Sequence, residues 1–377
     1  MVGINYTWSI FAAGLVTQKG WTHAQAALPY SLFLFCYAFS MVPAGQAQDY
    51  FGPRPVISLG SLFAGGAFIS CSLYLDSPFA AALLWGGLLG LGLACCFSST
   101  TPSAMKWFSA ERKGTVAGLV VTSTGLAALV MSPIVQGLVQ KSTREAFLVS
   151  GVFLFFSIFL LAQVIANPPV RIRDLRYRPV AGSFPPALLD LRLYRLWLIF
   201  FLVIGTGVTI NAHLVNIMRV QAGYERGYMI VALFALFNAA GRVAGGLLSD
   251  RLGRLRSLNL AFRTIALMLA VMMAVRLPML LAATVAVLAL AYGSLYSIFP
   301  AAVVSLFGEK NFGLYYGVVF TGLGAAGLFP YLGGVLFEHQ GHYLSLYGLM
   351  LVTTLAASAL SLRMGKPRNP RHGSLPL

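Results

Sequence analysis

Charged residues divide this chain into apolar runs about as long as a bilayer is thick. The runs lie near 2–17, 25–47, 54–74, 79–104, 114–138, 145–166, 193–216, 227–248, 257–275, 279–305, 313–337 and 343–363. A helix needs about 20 residues to cross roughly 30 Å of hydrocarbon. Backbone exposed to lipid must satisfy its own hydrogen bonds, so runs of this length are helices. All ten acidic residues fall in loops or at run ends: Asp49, Asp76, Glu111, Glu145, Asp174, Asp190, Glu225, Asp250, Glu309 and Glu338. Only 10% of the chain is charged, against about 25% in a soluble domain. The expected fold is therefore all-α, with twelve transmembrane helices.

The same pattern is written twice. Gly45, Asp49, Gly52 and Arg54 close the second run, and Gly246, Asp250, Arg251, Gly253 and Arg254 close the eighth, with the two aspartates 201 positions apart. Gly114, Gly118, Thr122, Gly125 and Ala127 return as Gly313, Gly317, Thr321, Gly324 and Ala326, each shifted by 199. A duplication of this length in an apolar chain predicts two bundles of like topology. The expected organisation is a six-helix bundle over 1–166, a linker over 167–192, a second six-helix bundle over 193–363 and a basic tail over 364–377. The linker holds five prolines and five arginines, with room for a short surface helix. The first run offers about 16 residues before Lys19-Gly20, roughly 24 Å of helix. Either the first helix is genuinely short or the sequence begins late.

The net charge of +16 raises the possibility of nucleic-acid binding, but its distribution argues for a membrane. Eighteen Lys and Arg fall on the side of the linker and tail, and six on the other. By the positive-inside rule the linker side is cytoplasmic. Cys36, Cys71, Cys95 and Cys96 all lie within apolar runs and read as small packing residues, neither disulfides nor a metal site. No cofactor or metal is expected.

The Gly/Asp/Arg pattern after runs 2 and 8 resembles the signature of the major facilitator superfamily. The stretch Asn5-Tyr6-Thr7-Trp8-Ser9-Ile10-Phe11 resembles the oxalate:formate antiporter family within it. So do Lys106-Trp107-Phe108 through Arg112-Lys113-Gly114, and Asn238 through Gly241-Arg242 to Ser249-Asp250-Arg251. Monocarboxylate transporters show similar patterns. The resemblance implies two rocking halves with a substrate site between them. Oxalate transporters of the family grip the dicarboxylate with two cations. One maps onto Arg242 and the other onto Leu323, so the second cation is missing and a monoanion is favoured. Where monocarboxylate transporters carry an aspartate, this chain has Asn238.

Arg242 is the sharpest candidate on physical grounds too. It lies eight residues before Asp250, about 12 Å along a helix. There, inserting an arginine costs roughly 2.5–3.5 kcal/mol. A guanidinium meets a carboxylate through two parallel hydrogen bonds. The alternative is a structural arginine bonded to helix-end carbonyls. Further candidate substrate contacts are Asn238, Tyr6, Trp8, Tyr292, Tyr296 and Tyr316, each of which packing alone would also explain. His213 would bind substrate, carry a proton or cap a helix end. Asp49, Arg54, Asp250, Arg251 and Arg254 read as a conformational latch, a carboxylate set against a helix N-terminus of the opposite half. Gly322-x-Gly324-x-x-Gly327 matches a dinucleotide fingerprint in letters only. It lies inside a membrane run with no strand before it, and reads as close packing or a bending point.

The expectation is a secondary transporter of a small organic anion, a monocarboxylate, working by alternating access through proton symport or anion exchange. It would be monomeric, in a bacterial inner membrane with the C-terminus cytoplasmic. The competing readings are an efflux carrier for a drug or other metabolite, and a non-transporting sensor or scaffold on a carrier fold. An enzyme is not expected, since no nucleophile–base pair or ligand cluster is present.

Overall fold

The computed structural model describes residues 2–105, 107, 113–166, 190–307 and 312–364. The expected linker helix, the tail beyond Met364, Lys106, Phe108, Arg112 and Lys310 lie outside the described residues, as does the side chain of Asp49. Twelve helical elements follow one another. In the first bundle, α1 is a 3-10 turn over Val2–Thr7 continued by Trp8–Lys19. It is followed by α2 (His23–Phe51) and α3 (Pro53–Leu73). Next, α4 runs Pro78–Ala81, through a wider π turn at Ala82–Leu88, into Leu89–Met105. The bundle ends with α5 (Lys113–Lys141) and α6 (Thr143–Val164). The second bundle holds α7 (Leu191–Ala222), α8 (Gly227–Leu252), α9 (Arg254–Ala274) and α10 (Pro278–Phe307). Then α11 comes in two pieces, Phe312–Ala326 and Leu328–Gln340, before α12 (Leu344–Leu362).

One boundary differs from expectation, and the expected bending point at Gly327 is found. Asp190 caps the N-terminus of α7, so Arg192, assigned to the linker, sits in its first turn. The eleventh run is interrupted at Gly327, whose backbone N–H bonds to Gly324 O at 3.1 Å. A Cβ on Gly327 would stand 2.6 Å from Ser31 O of α2. The glycine thus supplies both the bend and the close approach.

The repeated glycines have a backbone cause. Gly52 and Gly253, which join α2 to α3 and α8 to α9, have φ of 81° and 86°. That region is closed to most side chains, so both sharp turns need glycine. The repeated arginines differ in what they bind. Arg54 Nε donates to Ile165 O at 2.9 Å, and Trp107 Nε1 donates to Ala166 O at 2.7 Å. Both side chains cap the end of α6, where unpaired carbonyls carry the negative end of the helix dipole.

Each bundle has its own core. In the first, Trp8, Phe11, Phe68, Trp85 and Phe147 form one aromatic cluster, with Trp8 and Trp85 centred 4.0 Å apart. In the second, Phe200, Phe234, Phe262 and Phe299 are fully buried. Large apolar side chains such as Leu160, Leu161, Leu267 and Val352 point outward and are more than half exposed. In an integral membrane protein they face lipid.

The halves meet closely on the face opposite the linker, here the far face. A Cβ on Gly334 of α11 would lie 2.6 Å from Ala24 Cα of α2. Toward the linker face the same pair loosens: 3.1 Å from Gly324 to Ala38, then 3.9 Å from Gly317 to Val42. At the far end Glu338 Oε1 accepts from Ala24 N–H at 2.5 Å, a carboxylate on a helix N-terminus. The His23 ring stands edge-on to Phe337, 4.4 Å between centres. The structure is therefore shut at the far face. Capping interactions of this type are worth about 1 kcal/mol. Glu338→Ala should accordingly raise, by about fivefold, the rate at which a membrane-impermeant maleimide labels Ala27→Cys in a cysteine-free background.

Candidate functional site

The site is set by how closely α8 seats against α10. A Cβ on Gly241 would fall 2.0 Å from Leu290 O, and one on Gly293 2.0 Å from Asn238 O. Small residues let backbones approach in this way in membranes. The approach brings Asn238 and Arg242 of α8 beside Tyr292 and Tyr296 of α10.

Arg242 Nη2 donates to the Tyr6 hydroxyl at 3.0 Å. Tyr6 in turn donates to Asn238 Oδ1 at 3.1 Å. The Arg242 guanidinium also lies over the Tyr296 ring, 4.9 Å from its centre, a cation–π contact that stabilises charge away from water. The Tyr296 and Tyr292 hydroxyls are 2.7 Å apart. Tyr6 belongs to the first bundle and the others to the second, so the cluster spans the seam between halves. Asn238 is 1% exposed, and among the described residues its Nδ2 has no hydrogen-bond partner. Tyr37 and Tyr316 both pack on Phe320, with ring centres 6.2 and 5.7 Å from it.

Five sequence candidates thus converge, Arg242, Asn238, Tyr6, Tyr292 and Tyr296, while Tyr316 packs on Phe320. Two more do not converge. Trp8 is buried in the first bundle's aromatic core and donates Nε1 to Ala26 O at 3.0 Å. His213 lies toward the far face, with Nε2 2.8 Å from Pro330 O and Nδ1 3.4 Å from the Tyr343 hydroxyl. Both its ring nitrogens are engaged inside the second bundle. Leu323, at the position of the absent second cation, is buried apolar packing. Three residues at the seam escaped the sequence reading: Tyr30, Tyr37 and Asn211. Asn211 Nδ2 donates to the Tyr30 hydroxyl at 3.3 Å across the halves. Tyr30 and Tyr37 are seven residues apart, hence on one face of α2. That spacing, and an asparagine in mid-run, were legible signals.

The latch candidates sit at the linker face. Arg254 pairs with Asp250 at 2.6 Å and with Ser249 at 3.2 Å. Both bonds stay within the second half. Among the described residues, no bond of Arg54, Asp250 or Arg254 reaches the opposite bundle.

Two six-helix bundles in a membrane, with a cationic cluster bridging their seam, define a carrier rather than an enzyme. The chain belongs to the Major Facilitator Superfamily, whose family model matches residues 1–329 and 227–376. It is similar to the oxalate:formate antiporter of Oxalobacter formigenes, with 26% identity over 97% of this chain and 89% of that protein. It is also similar to a probable sulfoacetate transporter of Cupriavidus necator, 26% identical over 88% of this chain and 83% of the relative. Its fold is that of the xylose transporter XylE from E. coli in an inward open conformation. The TM-score is 0.75 at 10% identity, over 98% of this chain and 95% of that one.

Proposed function

We propose that this transporter moves a small monocarboxylate by alternating access, with Arg242 holding the carboxylate between the halves. The observation that carries the reading is the Arg242–Tyr6–Asn238 bridge across the seam. A carboxylate arriving there offers two acceptor oxygens to a guanidinium whose Nη2 bonds the neutral Tyr6 hydroxyl, and charge-assisted bonds are roughly twice as strong. Tyr6 and the unused Asn238 N–H supply further donors. Since Tyr6 and Arg242 come from different halves, a ligand bound between them engages both halves as they rock.

Two relatives carry names of organic-anion transporters, which supports an anionic substrate. Leu323 in place of a second cation favours one carboxylate over two. The linker face is cytoplasmic in this reading, in a bacterial inner membrane, and the far face is external. Proton symport and anion exchange both fit the seam.

The test is counterflow. Purified protein in liposomes preloaded with unlabelled lactate, pyruvate, formate or oxalate should accumulate the labelled monocarboxylates well above oxalate. Equal counterflow of a cationic drug, or of no anion, would overturn the proposal. Tyr6→Phe removes the hydroxyl that bonds both Arg242 and Asn238, and with it one donor to the carboxylate worth roughly 0.5–1.5 kcal/mol. It should raise the half-saturating concentration by about threefold to tenfold and leave the folded yield unchanged.

A further inference from the structure

A second polar space lies between the halves, nearer the far face than Arg242. It is a gap of about 20 Å³ lined by Ser9 and Val16 of α1, His23 and Ala27 of α2, and Asn216 and Arg219 of α7, among others. A gap of this size takes a single water-sized species. Glu338 and Phe337 close it on the outside through Ala24 and His23. On the inside, the Tyr30–Asn211 contact separates it from the Arg242 cluster. Arg219 and Asn211 are eight residues apart on α7, about 12 Å.

The lining is cationic. That charge comes from Arg219, since burial favours the neutral form of the His23 imidazole and both His213 ring nitrogens are engaged within the second bundle; no carboxylate lines the gap. Glu338, next to the Phe337 that stacks edge-on against His23, has its Oε1 engaged by Ala24 N–H. Among the described residues Arg219 forms no ion pair. Its Nη2 donates to Asn216 Oδ1 at 3.0 Å, which leaves other N–H donors of a planar, five-donor group. A second observation points to a ligand independently. Ser9 is 2% exposed, lines the gap from the opposite half, and among the described residues its hydroxyl has no partner. A buried hydroxyl left unpaired costs free energy, and a small acceptor in the gap would satisfy it together with Arg219.

We infer that this gap is a second anion site, in which Arg219 and Ser9 hold a small anion at the far-face gate. While the gate is shut the anion is a halide from solution; the transported carboxylate, too large for the closed gap, meets Arg219 only as the gate opens and before it reaches Arg242. The carboxylate role rests on the function proposed above; the halide role does not. When the Glu338 and His23 contacts part, the gap opens first to the far face, so the cation there meets an entering anion before Arg242 does. Charge placed at a mouth raises local ligand concentration and capture rate.

The experiment has two arms, using the full chain in liposomes sorted by accessibility of a C-terminal tag. In the first, Arg219→Gln should raise the half-saturating concentration for uptake from the far face about tenfold. It should leave maximal rate, and entry from the linker face, within twofold. Arg219→Lys should recover most of the loss, and Ser9→Ala should raise the same constant a few-fold without altering the fold around Asn216. In the second, replacing gluconate by chloride should raise the melting temperature of wild type and Arg242→Gln alike, and not that of Arg219→Gln. A chloride effect in a protein that transports no carboxylate would sink the proposed function and keep the site as a halide site. Far-face kinetics that change without a chloride effect support the carboxylate alone. Unchanged far-face kinetics with no chloride effect, or equal loss from both faces, overturns the site.

Discussion

Arg242→Gln is expected to lower uptake at sub-saturating substrate by about 100-fold or more, with normal insertion and a monodisperse gel-filtration profile. Glutamine keeps length and hydrogen-bonding capacity but removes the charge. Losing one partner of a desolvated, hydrogen-bonded charge pair costs about 2–5 kcal/mol, and each 1.4 kcal/mol is about tenfold. The folded protein should tolerate the change, because the Tyr6 hydroxyl and the Tyr296 ring face that Arg242 contacts are both uncharged. Without substrate, a glutamine can still hydrogen-bond the Tyr6 hydroxyl, and losing the cation–π contact with Tyr296 costs about 1–2 kcal/mol. Arg242→Lys keeps the charge but loses the planar fork, and should retain a small part of the activity with a raised half-saturating concentration. Initial rates of labelled monocarboxylate uptake check both variants. Wild-type rates in the glutamine variant would remove Arg242 from the site.

The second large effect is expected one residue away, for a different reason. Gly241→Val should reduce both transport and thermal stability severely, although it touches no ligand. Even the first carbon of the new side chain would lie 2.0 Å from Leu290 O, a backbone atom that cannot rotate aside. The helices α8 and α10 must separate, at a cost of about 1–3 kcal/mol or more for overpacking. Separation also moves Asn238 and Arg242 away from Tyr292 and Tyr296. Catalytic and binding geometries tolerate about 1 Å of displacement poorly, so uptake should fall by at least about 30-fold while the melting temperature drops by several degrees. Gly246→Val, on the same helix with nothing within 4 Å of its added carbon, is the control and should behave like wild type. A Gly241→Val protein with normal melting and normal uptake would show that the α8–α10 seam is not what sets the site.

These two positions show what could and could not be read in the chain. Arg242 was legible because a guanidinium in mid-membrane is expensive and must have a reason. Gly241 was legible only as part of a family pattern. Its physical role, letting Leu290 approach, depends on a neighbour 49 residues away. Trp8 was grouped with the site as an aromatic residue of the first run, which the family resemblance places along the cavity. Residues two apart on a helix do not share a face, so Tyr6 faces the seam while Trp8 packs on Trp85. His213 attracted attention as a titratable group in an apolar run. Its two neighbours, Pro330 and Tyr343, come from distant helices and give it a packing role.

The duplicated motifs divide in the same way. Gly52 and Gly253 carry a local requirement, a positive φ at a tight turn, so the repeat in sequence and the repeat in structure coincide. Arg54 and Arg254 occupy similar places but bind different groups, an α6 carbonyl and Asp250 respectively. What repeats is the backbone path, and what each side chain finds at the end of it is decided by the surrounding bundle.

By itself, the sequence determined that this chain spans a membrane as helices in two like halves, because hydrogen-bond satisfaction in lipid and a 20-residue span leave no other solution. It also determined that one cation would lie in mid-membrane. Only the tertiary structure decided which side chains surround that cation, that Tyr6 reaches it from the opposite half, and that the far face is the one drawn shut. Those facts depend on where helices hundreds of residues apart touch, and no local spacing encodes that distance.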